Sequence, residues 1–584
     1  MESRRNPFLE RGEGYNAGAK AQFHPLDGSA IPFLWKAPCH AMNGTGTQAG
    51  QVCLLVPSAV LLGDRTAGFQ AAWFGRFRVG AVWQLADLRY FLFKGATAAS
   101  GDHAKSAVPW PRRPAVVVKF CSQRPAENTE FPYIVPKANR LDPRQATICL
   151  LPEDEKSLSQ SDVVCEARRQ EAFLLWKKHF WGTTRDVRFI DRLMQMTPLG
   201  KWAGAPGKTR WTKGVGFKPF HPGRTKGKAE EAWWDQEQLY YEGESEDADL
   251  VLLKSDCRKT GAELTKLHRN PDKRIFKPPL VIFNRSGSTI AFADFRVVFQ
   301  DKIRSISGPK KDEDLLLFLT AVIHSDLARY FLFHTSASIA VERTTALLHE
   351  YLRLPFPMPE RSRHPGRASA LISEAAGHLR ELQSNLKDLE ERPDALFLDK
   401  REKMVGTTKS MLAPLVLDYY ELNRRERLLL KDTIQISCES MTPTSPWSDV
   451  PTLRDSSPDQ RRAYADYFCR TINTWAHRSS ERIQAVGRIC SKSGLCLLSI
   501  TRSSKPKPYV EQTSDAEFEE VLKRIGDAAQ EKHPGIAYMR GYYLIENEAV
   551  HVLKPLAYRH WTLTAALNDA DEVMGELMFL KAAS

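Results

Sequence analysis

Three apolar runs between residues 52 and 120 constrain this chain more than any other feature: Val52-Cys53-Leu54-Leu55-Val56-Pro57, Ala81-Val82-Trp83-Gln84-Leu85 and Ala115-Val116-Val117-Val118-Lys119-Phe120. Each has the length of a strand and is apolar at consecutive rather than alternate positions, the pattern of strands covered on both faces in a parallel sheet. An amphipathic helix start, Ile31 to Pro38, precedes them. A helix through Phe69-Gln70-Ala71-Ala72-Trp73-Phe74 separates the first two, and a turn at Asp87 to Ala96 follows the second. Strands alternating with helices predict an α/β layer here.

At 584 residues the chain has room for about three or four domains, and its 42% hydrophobic content is enough to give each a core. Lys and Arg outnumber Asp and Glu by 83 to 70, a net charge of +13. That balance suits a polyanionic partner, the other reading being a soluble protein that is merely basic. The ten cysteines include no CxxC pair and several stand in apolar strands, as expected of reduced, buried thiols in a cytoplasmic protein rather than a zinc site or disulfide frame. The first thirty residues are polar and Gly-rich, unlike a signal peptide. The longest apolar stretch, Leu315 to Phe333, is interrupted by His324, Asp326 and Arg329, which argues against a membrane span.

Composition divides the remainder. After the α/β unit (1–150), a connector (151–184) carries a helix from Ala167 to His179. Residues 185–365 are rich in Gly, Pro, Lys and aromatics, with short strands at Leu280–Phe283 and Phe295–Phe299, and read as a β-rich domain closed by a helix from Asp314 to Phe333. Residues 366–440 read as a helical spacer, since Leu371, Ala375, Leu379, Leu382, Leu386 and Leu389 recur at helical spacing on a charged background. In 441–584 helices are expected at Gln460–Val486 and Ala565–Phe579, and strands at Leu495–Ile500 and Tyr538–Ile545. The fold class is thus α/β and α+β multidomain with a helical C-terminal region, 441–584 reading as α+β.

Between Arg192 and Ala229 stand Arg192, Lys201, Lys208, Arg210, Lys213, Lys218, Arg224, Lys226 and Lys228 with no acidic residue, interleaved with Trp202, Trp211, Phe217 and Phe220. Uncompensated cations on Gly-rich backbone suit phosphate tracking, with aromatics that pack or stack; a solvated loop with buried aromatics is the alternative. Within it, Gly204-Ala205-Pro206-Gly207-Lys208-Thr209 lacks the preceding strand and following helix that a phosphate-binding loop needs. The scattered histidines form no metal site. Asp154-Glu155-Lys156 has no Pro-Asp pair upstream of it to complete a nuclease centre.

The order of elements across 31–120 resembles the second half of the catalytic domain of adenine-N6 DNA methyltransferases of restriction-modification systems. Phe180-Trp181-Gly182-Thr183-Thr184-Arg185-Asp186 with Gly214-Val215-Gly216-Phe217-Lys218-Pro219 resembles the entry to the target-recognition domain of the type IIG class. Leu317 to Phe331 with Leu354-Pro355-Phe356-Pro357-Met358-Pro359 resembles its exit, and Leu417 to Leu422 extends the similarity to about residue 440. The resemblance implies a partial Rossmann-like sheet, duplex DNA as partner, and methyl transfer from S-adenosylmethionine to an adenine extruded from the helix.

In that family an Asn-Pro-Pro-aromatic loop grips the base. Asn6-Pro7-Phe8 lies 27 residues before Phe33 and lacks one proline, so it is either a degenerate loop or a chance match. No residue is assigned to the donor, because the chain opens at about the family's fourth strand and its Gly44-Thr45-Gly46 precedes a strand instead of following one. The expected DNA contacts are Lys201, Lys208, Arg210, Lys213, Lys218, Arg224 and Lys226. A second chain carrying the donor-binding half is the expected partner, and neither metal nor membrane is expected. A non-catalytic specificity subunit, a degraded remnant and a restriction nuclease are the other readings.

Overall fold

The computed structural model describes residues 30–40, 50–63, 65–88, 114–138, 148–150, 154–222, 228–243, 249–341, 345–391, 396–439, 454–475, 480–512, 515–532, 542–546 and 549–583. They fall into two units. The first comprises the chain up to Val187, Ala340–Glu342 and Asp432–Ser584; the second comprises Arg188–Ile339 and Arg343–Lys431.

The first unit opens with α1 (Ala30–His40), β1 (Gln51–Pro57), α2 (Ala59–Leu62), α3 (Ala67–Phe74), β2 (Arg78–Gln84), β3 (Ala115–Cys121), β4 (Glu130–Ile134), β5 (Glu155–Ser159), α4 (Gln160–Arg168) and α5 (Ala172–Trp181). All three apolar runs are strands of one sheet, ordered β1-β3-β2-β4-β5. It is mixed, not parallel. β3 runs antiparallel to both neighbours, β5 is antiparallel to β4, and only β2 and β4 pair in parallel. Consecutive apolar residues report burial but carry no information about strand direction, which is why the expectation of a parallel sheet fails at β3.

One face packs on the helices. Val52, Val56, Val82, Val116, Val118, Phe120, Phe131 and Tyr133 share a core with Leu34, Trp73, Phe74, Val163 and Trp176. Two buried glutamines satisfy its polar backbone. Gln70 donates to the carbonyls of Val60 and Leu61 and accepts from Trp176 Nε1 at 2.7 Å. Gln160 donates to the carbonyls of Phe74 and Phe77 and accepts from the Val79 amide at 3.1 Å. On the opposite face Cys53 and Lys119 are exposed and Leu55 is 57% exposed, so β1 alternates as a half-covered edge strand. The helix expected from Ala167 to His179 is broken into α4 and α5, because Gln170 takes a left-handed conformation at φ 64°.

α6 (Thr184–Met194) leads out of the first unit. The second contains β6 (Ala203–Gly204), β7 (Trp211–Val215), β8 (Lys218–Pro219), β9 (Glu230–Glu231), β10 (Leu239–Tyr241), β11 (Asp249–Val251), β12 (Arg258–Lys259), β13 (Lys266–Arg269), β14 (Leu280–Asn284), β15 (Ile290–Ala293), β16 (Val298–Phe299) and β17 (Ile303–Ser307). Six of these form a sheet ordered β11-β15-β14-β17-β7-β6, and two three-stranded sheets flank it. Leu280, Ile282, Ala291, Ala293 and Ile303 share a core with Phe217, Trp234, Phe276 and Phe299.

The expected helix over Asp314–Phe333 is two, α7 (Glu313–His324) and α8 (Asp326–Thr335), meeting at 61°. Ser325 makes the break by accepting from the Ala328 amide and so starting a new helix. Among the described residues no single helix is long and apolar enough to cross a membrane. α9 (Leu348–Tyr351), α10 (Pro365–Glu391) and α11 (Phe397–Tyr419) follow, α10 and α11 packing along each other. The stripe Leu371, Ala375, Leu379, Leu382 and Leu386 is buried, so the segment read as a spacer packs its apolar face within this unit. α12 (Arg424–Asp432) is separate from α11 because Asn423 caps it, its side chain accepting from the amides of Arg425 and Glu426.

The C-terminal part of the first unit combines helices with a sheet. α13 (Pro458–Trp475), β18 (Arg482–Cys490), β19 (Leu495–Ser503), β20 (Val510–Gln512), α14 (Asp515–Lys532), β21 (Tyr542–Glu546), β22 (Ala549–Pro555) and α15 (Leu563–Ala583) build a five-stranded sheet, ordered β20-β18-β19-β22-β21, with helices. The helix expected to run to Val486 ends at Trp475. From Arg482 the chain pairs with β19 over nine residues, which places Ala485 and Ile489 in the core shared with Tyr464, Phe468 and Trp561.

Candidate nucleic-acid interface

The cations singled out in the sequence separate into two groups. Lys201, Lys208 and Lys218 are exposed and Lys213, on β7, is half-buried. None of these four has a carboxylate partner among the described residues. Burial pushes the Lys213 ammonium below its ordinary value. Lys201 precedes β6, Lys208 lies in the turn between β6 and β7, and Lys218 on β8 is in register with Arg269 on β13.

Arg210 is different. Its guanidinium holds Asp312 by two hydrogen bonds of 2.6 Å, and Trp211 Nε1 donates to the same carboxylate at 2.9 Å. Burial alone would raise the Asp312 carboxyl, but the bonds from Arg210 and Trp211 outweigh it and hold the group below the usual carboxylate range. Arg192 is likewise engaged, with Glu426 at 2.9 Å. Both arginines fasten their own unit.

Three of the interleaved aromatics are structural. Trp211 and Phe217 are buried, and Trp202 donates to the Phe356 carbonyl at 2.9 Å with Arg361 over its ring. The Gly204–Thr209 segment is a turn between β6 and β7, closed by Gly207 at φ +78° and a 2.7 Å bond from Thr209 Oγ1 to the Trp211 carbonyl. No helix follows it, so it is not a phosphate loop.

Asn6, Pro7, Phe8, Arg224 and Lys226 lie outside the described residues. β1 runs through Pro57 and Ser58 directly into α2, without the glycine turn on which a methyl donor would sit. Asp154 of the Asp-Glu-Lys triplet is 2% exposed and accepts from Arg559 at 3.0 Å, an ion pair inside its unit. Among the described residues no group of His, Cys, Asp and Glu could hold a metal ion.

A further set of cations had no signal in the sequence. Arg269, Arg285 and Arg304 are far apart in sequence, yet the sheet brings their charges together at one end of β14 and β17. Arg269 donates to the Gly216 carbonyl at 2.8 Å and approaches Asp301 at 4.0 Å.

No family model matches this chain, and no curated protein matches it. Solved structures align only distantly. The type IIG restriction endonuclease BpuSI aligns at 11% identity over 67% of this chain and 49% of its own, with a TM-score of 0.23. The HsdS subunit from Thermoanaerobacter tengcongensis aligns at 11% identity over 45% of this chain and 60% of its own, with a TM-score of 0.16. The chain thus spans about half the length of the first and three fifths of the second. Alignments this loose do not define a shared fold.

Proposed function

We propose that this chain reads duplex DNA as part of an adenine-N6 DNA methyltransferase of a restriction-modification or phage-defence system in the cytoplasm. The observation that carries the DNA reading is the set of lysines, Lys201, Lys208, Lys213 and Lys218, left without carboxylates among the described residues of a domain that pairs Arg192 and Arg210 internally. Each phosphate such a cation neutralises releases condensed counterions, which gives affinity without sequence preference. Sequence choice would come from contacts to base edges in the grooves. The methyltransferase assignment rests on the sequence resemblance, and the mixed sheet of β1 to β5 would be its partial Rossmann-like half. The methyl donor would be S-adenosylmethionine held by a second chain, and the substrate an adenine swung out of the duplex.

Fluorescence anisotropy with a labelled duplex at a series of salt concentrations tests the DNA reading. Replacing the four lysines by Gln should lower the salt slope by about one for each lost phosphate contact. Unchanged affinity and slope would refute it. A second reading, a non-catalytic specificity subunit, is favoured by the direct passage from β1 into α2. It requires DNA binding without methylation even when a donor-binding partner is supplied.

A further inference from the structure

Arg304 stands on β17 opposite Phe283 of β14 and Val215 of β7, and is 2% exposed. A guanidinium so buried ordinarily faces a carboxylate at hydrogen-bond distance. Here Nη1 donates to the backbone carbonyls of Lys302 at 2.5 Å and Asp301 at 3.3 Å. Nε is buried without a partner, and Nη2 has none among the described residues. The Nε–H and Nη2–H bonds leave the guanidinium side by side on one edge, the fork that takes two oxygens of a carboxylate or phosphate. Burial first, and then the Arg285 charge beside it, push Arg304 down to about 10. It therefore stays charged at neutral pH, next to another cation, and Asp301, which partly offsets this, also faces Arg269.

Two more donors stand near Arg304, close enough for their charges to act on it: Arg285 and Tyr351. Arg285 is exposed in the hairpin between β14 and β15, and has no ion pair among the described residues. The hairpin is braced by its own side chains. Asn284 Nδ2 donates to Ser288 Oγ at 2.7 Å and to Thr289 Oγ1 at 3.2 Å, and Ser286 Oγ donates to Asn284 Oδ1 at 3.0 Å. Gly287 turns the chain at φ +75°, where a side chain would be strained, and a Cβ there would lie 3.5 Å from Tyr351 Oη. Tyr351 packs its ring on Phe283 at 4.8 Å, while its hydroxyl has no hydrogen bond among the described residues. Burial pushes that hydroxyl up to about 12, so it stays protonated and able to donate.

We infer that Arg304, Arg285 and Tyr351 form a seat for one tetrahedral oxyanion, filled by a phosphodiester of duplex DNA. An anion there satisfies the free guanidinium edge and the unbonded hydroxyl and neutralises two adjacent like charges. Duplex DNA is the occupant favoured over free phosphate because Arg285 is presented on an exposed, braced hairpin. Lys213 also shares the Arg304 face of the sheet, two register positions along. The choice of DNA rests on the function proposed above; the oxyanion seat itself does not.

The test compares the full chain with Arg285→Gln, which alters an exposed side chain, and with Tyr351→Phe and Arg304→Lys. Two probes are used, inorganic phosphate in thermal unfolding and a labelled duplex in anisotropy. The wild type should gain Tm with phosphate and bind the duplex. Arg285→Gln should lose most of the phosphate-induced shift, weaken duplex binding about tenfold and lower the salt slope by about one. A fully folded Arg285→Gln with wild-type phosphate shift and salt slope overturns the seat while leaving the DNA reading intact. A wild type that responds to phosphate, loses the response in Arg285→Gln and does not bind duplex overturns the DNA occupant and the proposed function together, leaving a free-phosphate site.

Discussion

Arg401 of α11 donates two hydrogen bonds to Asp256, at 2.7 and 2.9 Å, and both side chains are almost fully buried. Asp256 also accepts from the Leu253 amide at 2.8 Å, so one carboxylate ties a helix to the loop that follows β11. Removing one partner of such a pair strands a buried charge. Arg401→Met should destabilise the second unit by about 3–5 kcal/mol, and adding Asp256→Leu should recover much of the loss. Thermal unfolding of the two variants and the wild type checks this; an additive double variant would mean the pair is not coupled.

Arg210 and the four lysines should respond in opposite ways. Arg210→Met is expected to lower Tm, because it exposes the buried Asp312 carboxylate to an unpaired state, while changing the salt slope of duplex binding little. Substituting Lys201, Lys208, Lys213 and Lys218 should do the reverse. Measuring both quantities on both variants tells phosphate contacts from structural pins.

His560 makes the first unit sensitive to acid. The imidazole is buried, and Arg559 Nε donates to its Nε2 at 3.0 Å, which requires a neutral ring. Burial first, and then the charges of Arg559 and Lys554, hold its pKa well below the ordinary value. In the unfolded chain the ring protonates near its ordinary value of about 6.5, while the folded ring does not. The unfolded state therefore binds the extra proton, and stability contributed by this residue is present above about pH 6.5 and falls as the pH drops, by up to about 1.4 kcal/mol per unit. His560→Gln should flatten the dependence of Tm on pH between 6.5 and 5. An unchanged profile would assign the acid sensitivity elsewhere.

Gln160 offers a test of the first core. Replacing it by Leu leaves the Phe74 and Phe77 carbonyls and the Val79 amide without their partners, and should cost about 1–3 kcal/mol for each group that water cannot reach. A loss below 1 kcal/mol in denaturant unfolding would mean that water replaces the side chain.

Much of the fold was legible because burial writes itself into composition. The strands at 51–57, 78–84 and 115–121 stand where consecutive apolar residues put them, but their directions do not, since β3 reads the same from either end. Arg482–Cys490 carries its own strand signal: Ile483, Ala485 and Ile489 alternate with Arg482, Gln484 and Arg488 at the period of a strand, and the helical pattern before it runs straight into the change. The breaks at Gln170 and Ser325 each rest on one residue's backbone or cap, which helical periodicity averages over. At the candidate interface the lysines were visible as charge without countercharge. Arg210 looked identical to them, because Asp312 lies 102 residues away in sequence. Arg304 was invisible, a single cation between Ile303 and Ser305 whose burial and neighbours exist only once β14, β17 and β7 are paired.

The half-covered face of the β1 sheet carries its own reporter. Cys53 is exposed there beside Leu55, and Cys165 is exposed on α4, which belongs to the helical layer of the opposite face. Alkylation of the two thiols supplies an internal clock. A binding partner seated on the bare face slows Cys53 alone, whereas loosening of the whole sheet accelerates the half-buried Cys121 of β3 and leaves the ratio of the two exposed ones almost unchanged. Coverage of that surface thus becomes a ratio of two chemical rates on a single molecule, independent of concentration and readable in a crude mixture.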